Sequence, residues 1–290
     1  MWVKKTMIGA LMVCLSACAT TSHLDRLNCE SEQPPDRNVR DIGSEELYQH
    51  LKDVPRSNEE RAATLIDRFG KVGCRGNSLK IATQRPARLP NIICKLTGSD
   101  DRTIVIGAHY DKTSRGRGIV DNWTGASLLP ILYQHLRGQP LQHTFLFVGF
   151  AEEELDLVGS KAFVRSLSGA DLEQMVAMVN LDTFGLTVVK VDSRSAPHLV
   201  CRLFATAKWR QLPLQVANMR EPISGDWEPF RSKGVPIVNL HSITRSGLKV
   251  IHSNRDKLES VHEEHYYDTY RLVNGYLNWL DATLTGKGSS

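Results

Sequence analysis

The sequence lacks several features that would assign a function directly. Its N-terminal apolar segment, Met7 to Leu15, is about half as long as the ~20 residues that a membrane-spanning helix needs. No Cys-x-x-Cys spacing occurs, which argues against a thiolate metal site. The serines lack a Gly-x-Ser-x-Gly context, and Gly116-Arg117-Gly118 is not followed by Lys-Ser/Thr. A serine hydrolase of that type and a phosphate loop are therefore disfavoured.

The composition also lacks the signs of disorder and of nucleic-acid binding. Hydrophobic residues make up 41% of the 290 positions and charged residues 23%, which is typical of a globular protein with a sizeable core. The net charge is +4, and without Lys4 and Lys5, which lie in a segment expected to be removed, it is about +2. No basic patch indicates nucleic acid. With neither internal repeats nor a second linker, the chain is predicted to hold one catalytic domain, residues 41–285.

The N-terminal residues have the pattern of an export signal. Lys4-Lys5 is followed by the apolar segment and then by Leu15-Ser16-Ala17-Cys18. This ending resembles the lipobox of bacterial lipoproteins, so residues 1–17 are predicted to be a signal peptide and Cys18 the lipidated first residue. A plain signal peptide with a coincidental cysteine is the alternative. Residues 18–40 are polar and are predicted to be a tether. The pattern predicts a lipid anchor in the bacterial envelope, at the outer membrane or periplasmic face.

Four cysteines beyond the signal can form disulfides in an exported protein. They are Cys29, Cys74, Cys94 and Cys201, and four cysteines allow three pairings. Cys94 lies in an apolar run and Cys201 in a helical segment, where a buried, inert thiol is usual. We therefore expect Cys29 to pair with Cys74.

Hydrophobic periodicity predicts a β-α-β-α-β alternation through the centre of the chain. Continuous apolar runs such as 103–108 and 144–150 are typical of strands buried on both faces. The predicted helices are 44–54, 58–72, 125–136, 160–167, 197–210 and 265–284, and the predicted strands are 78–83, 91–96, 103–108, 144–150, 176–181, 187–191, 213–216 and 235–240. The fold class is α/β, a single three-layer αβα domain with a mixed, mostly parallel sheet.

Five segments place acids or histidines at predicted strand ends or in adjoining loops. They contain His109 with Asp111, Asp121, the pair Glu152-Glu153, Asp182, and His252. In such sheets ligands gather beyond the carboxyl ends of the strands, so these side chains are expected to converge. Two imidazoles with three or four carboxylates suit a pair of divalent metals, which would compensate the adjacent glutamates. The set predicts a metallohydrolase.

In order and type, these motifs resemble those of the co-catalytic zinc aminopeptidases, with the glutaminyl cyclases as a sister group. The resemblance covers roughly residues 60–284, with Gly107-Ala108 before His109, Gly125 after Asp121, and Gly159-Ser160 after the glutamates. It implies a zinc exopeptidase-like fold and a role for each residue. Asp121 bridges two zinc ions, His109 and Asp182 complete one site, Glu153 and His252 complete the other, Glu152 is the general base, and Asp111 orients the imidazole of His109.

The implied reaction is removal of the N-terminal residue from a peptide with a free amino terminus, by a water activated between two zinc ions. The alternative is a glutaminyl cyclase, which uses a related site with one zinc. Against it, Gly159-Ser160 follows the glutamates closely, and Ile251 stands where cyclases place a tryptophan. A third reading is a non-catalytic envelope lipoprotein that uses the fold as a scaffold.

The substrate pocket is the least constrained part of the resemblance. Segment 224–230, Ser-Gly-Asp-Trp-Glu-Pro-Phe, is similar to the family's Asp-x-x-Pro-Phe loop. Trp123, Asp226, Trp227 and Phe230 are accordingly expected to line the pocket, although Asp226 can instead cap a turn. The loop 112–120 is short and basic, unlike that of relatives, and leaves specificity open. His262 and His265 are three residues apart where a zincin helix requires four, which favours a solvated helix start.

Overall fold

The computed structural model describes Cys29 and residues 33–217 and 224–284. The predicted signal peptide, Cys18, most of the tether before residue 33, and residue 285 lie outside the described residues. The described part contains an eight-stranded sheet with the order β1-β2-β4-β3-β5-β8-β6-β7. The strands are β1 (Leu79–Ala82), β2 (Asn91–Leu96), β3 (Thr103–His109), β4 (Thr144–Phe150), β5 (Met175–Leu181), β6 (Lys190–Val191), β7 (Gln215–Val216) and β8 (Ile237–His241).

The four central strands are parallel and end at one edge of the sheet. Ile106 of β3 pairs with Phe147 of β4 on one side and with Val179 of β5 on the other, and β5 in turn pairs with β8. These strands are apolar along their length because helices cover both faces of the sheet. β1 and β2 add an antiparallel pair at one side, and β6 is antiparallel to β8. The predicted mixed, mostly parallel sheet is confirmed.

Helices form the two outer layers. They are α1 (Ser44–Gln49), α2 (Asn58–Lys71), α3 (Thr124–Leu136), α4 (Val158–Arg165), α5 (Gly169–Gln174), α6 (Pro197–Arg210), α7 (Glu228–Ser232) and α8 (Glu263–Thr283). The larger apolar core joins one sheet face to α2, α3, α6 and α8, and a smaller core joins the other face to α4 and α7. This arrangement confirms the three-layer αβα class. In the described part of the chain, no helix combines the length and apolar character needed to cross a membrane.

Local signals explain where several elements begin and end. The hydroxyl of Ser57 accepts the backbone N–H of Glu60, and the Glu60 carboxylate accepts the N–H of Ser57, which caps α2. The same reciprocal pair, Ser168 with Asp171, starts α5, a helix that the hydrophobic pattern did not predict. The strand predicted over residues 187–191 is reduced to Lys190–Val191, because the Thr187 hydroxyl donates to the Ser242 carbonyl in a loop.

The disulfides are Cys29–Cys201 and Cys74–Cys94, so the predicted Cys29–Cys74 bridge is wrong. Cys74 follows the end of α2, and its N–H donates to the carbonyl of Phe69. β2 runs beside this turn and brings the Cα of Cys94 to 6.0 Å from that of Cys74. Cys29 instead meets Cys201 on α6, with the Cα atoms 5.4 Å apart. The position of β2 in the sheet determines which cysteines are close enough to pair, and the spacing of cysteines in the sequence does not show it.

The segment before α1 is held against α6 and α8. Arg37 forms an ion pair with Asp281 at 2.7 Å, and Asp41 pairs with Arg210 and Arg271. The part of the predicted tether from Arg37 onward therefore contacts the domain.

Candidate metal centre

Five side chains at the carboxyl edge of the central strands form two candidate metal sites that share one residue. His109 Nε2 lies 3.2 Å from Asp121 Oδ1 and 3.7 Å from Asp182 Oδ1. His252 Nε2 lies 3.0 Å from Asp121 Oδ2 and 3.0 Å from Glu154 Oε2. In each group the three ligand atoms lie within 4.8 Å of one another. Asp121 directs one oxygen to each group, as a carboxylate that bridges two cations does.

The electrostatics of the site favour added positive charge. Burial disfavours the charged imidazole of His109, yet Glu153, Asp111, Asp121 and Asp182 together raise its pKa well above the usual value. Hydrogen bonds with Asp121 and Glu154 raise the pKa of His252 to about 10. The carboxylates thus attract protons onto both imidazoles. Divalent cations satisfy the same demand, and mixed imidazole and carboxylate ligands are those that zinc accepts.

The structure shifts the predicted glutamate roles by one residue. Glu154, not Glu153, completes the group with Asp121 and His252. Glu153 belongs to neither group, and its Oε2 lies 4.0 Å from His109 Nε2. The chain leaves β4 through Glu152 in a left-handed conformation, with φ of 54°, and this turn determines which glutamate faces which group. Three consecutive glutamates occur in the sequence, and the predicted pair was placed one position too early.

Glu152 is not placed to act as the general base predicted for it. Its carboxylate is buried and accepts the backbone N–H of Arg88, with 3.1 Å to each oxygen. This contact attaches the loop before β2 to the turn after β4. Glu153 instead lies beside His109, Asp182 and the shared Asp121, and burial, with Asp226, Asp182 and Asp121 nearby, raises its pKa well above the usual value despite His109.

Asp111 lies where the resemblance places it and has a second set of partners. Its Oδ1 is 3.5 Å from His109 Nδ1, the imidazole nitrogen that faces away from the ligand group. The same carboxylate accepts the backbone N–H groups of Glu153 at 3.0 Å and Glu154 at 3.2 Å. Asp111 therefore couples the orientation of the imidazole to the position of both glutamates.

Two residues that the sequence analysis missed hold the Asp121 segment. Asp256 is buried and accepts the N–H groups of Ile119 and Val120 at 2.7 Å and of Asp121 at 3.2 Å. Asn122, joined to Asp121 by a cis peptide bond, accepts the N–H of Thr183 at 3.0 Å and donates to the Leu181 carbonyl. The signals available in the sequence were a carboxylate four residues after His252 and an amide beside Asp121.

The structure contradicts most of the predicted substrate pocket. Trp123 is fully buried, with the guanidinium groups of Arg61 and Arg68 5.2 and 5.1 Å from its ring. Trp227 and Phe230 are buried in the smaller core, where Phe230 packs on Phe150 and Phe163. Aromatic size and cation–π packing account for these positions, which leave no surface for a substrate.

Asp226 differs from these neighbours because it lies beside the metal-ligand groups. It is buried, and its carboxylate accepts no backbone hydrogen bond in the described part of the chain, which contradicts the turn-cap reading. Burial raises its pKa to about 7, and Asp111 and Asp182 contribute to that rise.

Comparisons with known proteins agree with this fold and site. The sequence model of peptidase family M28 matches residues 91–276. A curated relative, a probable leucine aminopeptidase 2 of Arthroderma benhamiae, is 32% identical over 124 residues, which is 42% of this chain and 24% of that protein. The LapA aminopeptidase structure of Legionella pneumophila superposes with a TM-score of 0.73 at 19% identity, over 88% of this chain and 78% of that one.

A glutaminyl cyclase structure from an Acidobacteriales bacterium gives a TM-score of 0.70 at 19% identity, over 87% of this chain and 99% of that one. The two structural likenesses show the αβα fold. The family match extends from β2 into α8 and includes every residue of the two ligand groups. The chain is a member of peptidase family M28. The predicted family is confirmed.

Proposed function

We propose that the protein is an aminopeptidase that uses two zinc ions to remove N-terminal residues from peptides. The observation that carries the proposal is the sharing of Asp121 between two ligand groups, each with its own imidazole. Family membership and the aminopeptidases among its relatives support the same activity. His109, Asp121 and Asp182 would hold one ion, and Asp121, Glu154 and His252 the other. Ions at these positions would lower the pKa of a shared water and polarise the scissile carbonyl.

The remaining chemistry falls to residues of the chain. Glu153 lies 4.0 Å from His109, close to the shared Asp121, and is the carboxylate that would take a proton from the attacking water and return it to the leaving amine. Asp111 positions it, because the Asp111 carboxylate accepts the backbone N–H of Glu153. Burial limits access by bulk water on the His109 side of the site, where the side chains of His109 and Asp121 are 2% and 7% exposed.

Product analysis and metal content test the proposal together. The purified protein is loaded with zinc, freed of excess metal and analysed by mass spectrometry for metal stoichiometry. It is then incubated with a peptide that begins with leucine and with one that begins with glutamine. The proposal predicts two zinc ions per chain and release of free amino acid. One ion, with ammonia and no free amino acid from the glutaminyl peptide, would instead identify a glutaminyl cyclase. Full metal occupancy with no product from either peptide would favour the non-catalytic scaffold.

We also propose that the protein is anchored by lipid at Cys18 and acts in the bacterial envelope. The support is the sequence Leu15-Ser16-Ala17-Cys18 behind a charged and apolar leader. Metabolic labelling with a palmitate analogue tests this in cells of a bacterial host. Label should enter the wild-type chain and be absent from Cys18→Ser, while Cys14→Ser, within the leader, keeps it. Equal labelling of wild type and Cys18→Ser contradicts the anchor.

A further inference from the structure

Three loops around the candidate metal centre contain only positive formal charge. They are residues 83–90, 112–120 and 242–255, and together we name them the basic rim. The sequence of the basic rim contains no aspartate or glutamate. Its cations are Arg85, Arg88, Lys112, Arg115, Arg117, Arg245, Lys249 and Arg255. Because these loops are distant in sequence, the concentration of charge becomes visible only when the sheet brings them to one edge.

Direct contacts place the three loops at the metal-ligand groups. The N–H of Arg88 donates to the Glu152 carboxylate, so the first loop adjoins the turn after β4. The second loop joins the segment of His109 to that of Asp121. The third carries His252 and lies against the second: the Arg117 N–H donates at 2.8 Å to the carbonyl of Asp256, the buried residue that directly follows the third loop. Gly116 fits against the Ser253 carbonyl so closely that a Cβ there would lie 2.3 Å from the oxygen.

Most of these cations are free to meet a ligand. The Lys112 ammonium donates to the Thr113 carbonyl, and the Arg117 guanidinium donates to the Val54 carbonyl. The other six belong to exposed residues and form no ion pair within the described residues: Arg85, Arg88, Arg115, Arg245, Lys249 and Arg255. Asp156, an exposed acid two residues after Glu154, is already paired with Lys161 at 2.7 Å.

The site opens toward the rim. The side chain of His252 is 53% exposed, whereas those of His109 and Asp121 are 2% and 7% exposed. In sequence, Lys249 and Arg255 lie three residues to either side of the exposed imidazole of His252, so a peptide whose amino terminus reaches the ligand groups would enter past the third loop. Clefts lined by charge of one sign raise the local concentration of oppositely charged ligands and speed their association.

We propose that the basic rim selects peptides with acidic side chains immediately after the N-terminal residue. This inference rests on the proposed aminopeptidase function and names its substrate class. The N-terminal residue itself enters the buried site, and the residues that follow extend across the rim, where carboxylates find unpaired guanidinium and ammonium groups. Arginine forms bidentate hydrogen bonds with carboxylates, which adds geometric preference to the electrostatic attraction.

The alternative explanation is that the rim only compensates the carboxylates of the metal centre. In that case removal of rim charge would change zinc affinity or the melting temperature and leave the ratio between substrates unchanged. The two explanations therefore differ in the ratio of kcat/KM between acidic and neutral peptides, which can be measured.

The test compares three peptide amides that share an N-terminal leucine: Leu-Ala-Ala-Ala-Ala, Leu-Glu-Ala-Glu-Ala and Leu-Lys-Ala-Lys-Ala. Release of leucine by the zinc-loaded protein gives kcat/KM for each. The proposal predicts that the acidic peptide exceeds the neutral one by about 10-fold or more at low ionic strength. The excess should fall toward parity in about 0.5 M sodium chloride, because the Debye length is then only a few ångströms and charge attraction is largely screened. The lysine peptide should be the poorest substrate.

The variant for this test removes one cation from each loop, as Arg88→Ala/Arg115→Ala/Arg255→Ala. Within the part of the chain that the structure describes, these three residues form hydrogen bonds through backbone atoms alone, so truncation of the side chains leaves the loops anchored. The matched control, Arg137→Ala/Arg165→Ala/Lys233→Ala, changes net charge equally at the opposite edge of the sheet. The rim variant should reduce the acidic preference to about 2-fold with the neutral peptide nearly unaffected, and the control should retain it.

Each outcome separates this inference from the function on which it rests. Turnover of all three peptides at similar rates overturns the acidic preference and leaves the aminopeptidase proposal standing. An acidic preference that survives in the rim variant also overturns the role of the rim. Loss of binding to anionic phospholipid vesicles in that variant, with peptide preference unchanged, would assign the rim to the membrane instead. Absence of turnover with any peptide overturns both proposals.

Discussion

The carboxylate of Asp256 accepts the backbone N–H of Asp121, at 3.2 Å between nitrogen and oxygen. Through this bond, the loop that carries His252 fixes the residue that both ligand groups share. The same carboxylate accepts the two preceding N–H groups at 2.7 Å, so the whole approach to Asp121 depends on one buried acid.

Substitution Asp256→Asn should weaken zinc binding while the ligands themselves remain. The amide has one acceptor oxygen where the carboxylate uses two, so at least one of the three N–H groups loses its partner. We expect zinc affinity to fall by about 10–100-fold, as measured by competition with a chromophoric chelator. The control is Asp171→Asn, because Asp171 also accepts a backbone N–H, from Ser168 at 2.8 Å, but caps α5. It should cost about 1 kcal/mol of stability with zinc affinity intact. Equal affinity in both variants contradicts the role of Asp256.

Asp111→Asn should disturb both the orientation of the His109 imidazole and the backbone position of Glu153 and Glu154. The carboxylate accepts from Glu153 and Glu154 with different oxygens, and an amide nitrogen at either place would oppose an N–H group. We expect about 10–100-fold weaker zinc binding and a lower kcat in the zinc-saturated variant. Asp100→Asn is the control, since Asp100 accepts the N–H of Arg102 away from the site. Unchanged kcat in zinc-saturated Asp111→Asn would argue against the positioning of Glu153.

Removal of metal should lower the melting temperature. Without cations, the buried carboxylates of Asp121, Asp182 and Glu154 repel one another and rely on the imidazoles for compensation. A ligand present at 100 times its dissociation constant stabilises a protein by about 2.7 kcal/mol, which corresponds to roughly 5–10 °C for a domain of this size. Thermal unfolding in chelator and after zinc readdition measures the shift. Asp121→Asn is the control and should show little response to zinc. If zinc leaves the melting temperature of the wild type unchanged, zinc binding at the two ligand groups is contradicted.

The Cys29–Cys201 bridge should stabilise the domain more than Cys74–Cys94. The two bridges span sequence separations of 172 and 20 residues, for which the chain-entropy relation gives about 5 and about 3 kcal/mol. Cys29→Ser/Cys201→Ser should therefore unfold at lower denaturant than Cys74→Ser/Cys94→Ser. Non-reducing peptide mapping of the wild type should recover both pairs. A peptide that links Cys29 to Cys74 would contradict the fold of the N-terminal segment.

The sequence predicted the sheet well because its central strands are buried on both faces. Runs such as 103–108 and 144–150 are apolar without alternation, and the structure places β3 and β4 there within one residue. His109 and Asp182 could be located for the same reason, since each stands where an apolar run ends. Periodicity did not show the short helix at Gly169–Gln174, whose signal was the reciprocal Ser168–Asp171 cap.

The predictions from sequence were wrong where tertiary contacts determine the position of a side chain. Glu152, Glu153 and Glu154 are chemically identical neighbours, and only the left-handed turn at Glu152 determines which one faces His252. Trp123 follows Asp121 and Asn122 closely in sequence, yet two arginines of α2 hold its ring in the core. The rim cations were equally hidden, because their loops come together only across the sheet edge.

Single substitutions of the three adjacent glutamates test whether Glu153 is the general base and Glu154 a zinc ligand. Glu152→Gln, Glu153→Gln and Glu154→Gln are compared for zinc content and for release of leucine from a leucine peptide. We expect Glu153→Gln to retain two zinc ions and to lose about 10²–10⁴-fold in kcat. Glu154→Gln should lose one ion, and Glu152→Gln should retain both ions and most of its activity. Full activity in Glu153→Gln, or loss of catalysis at full zinc occupancy in Glu152→Gln alone, would contradict these roles.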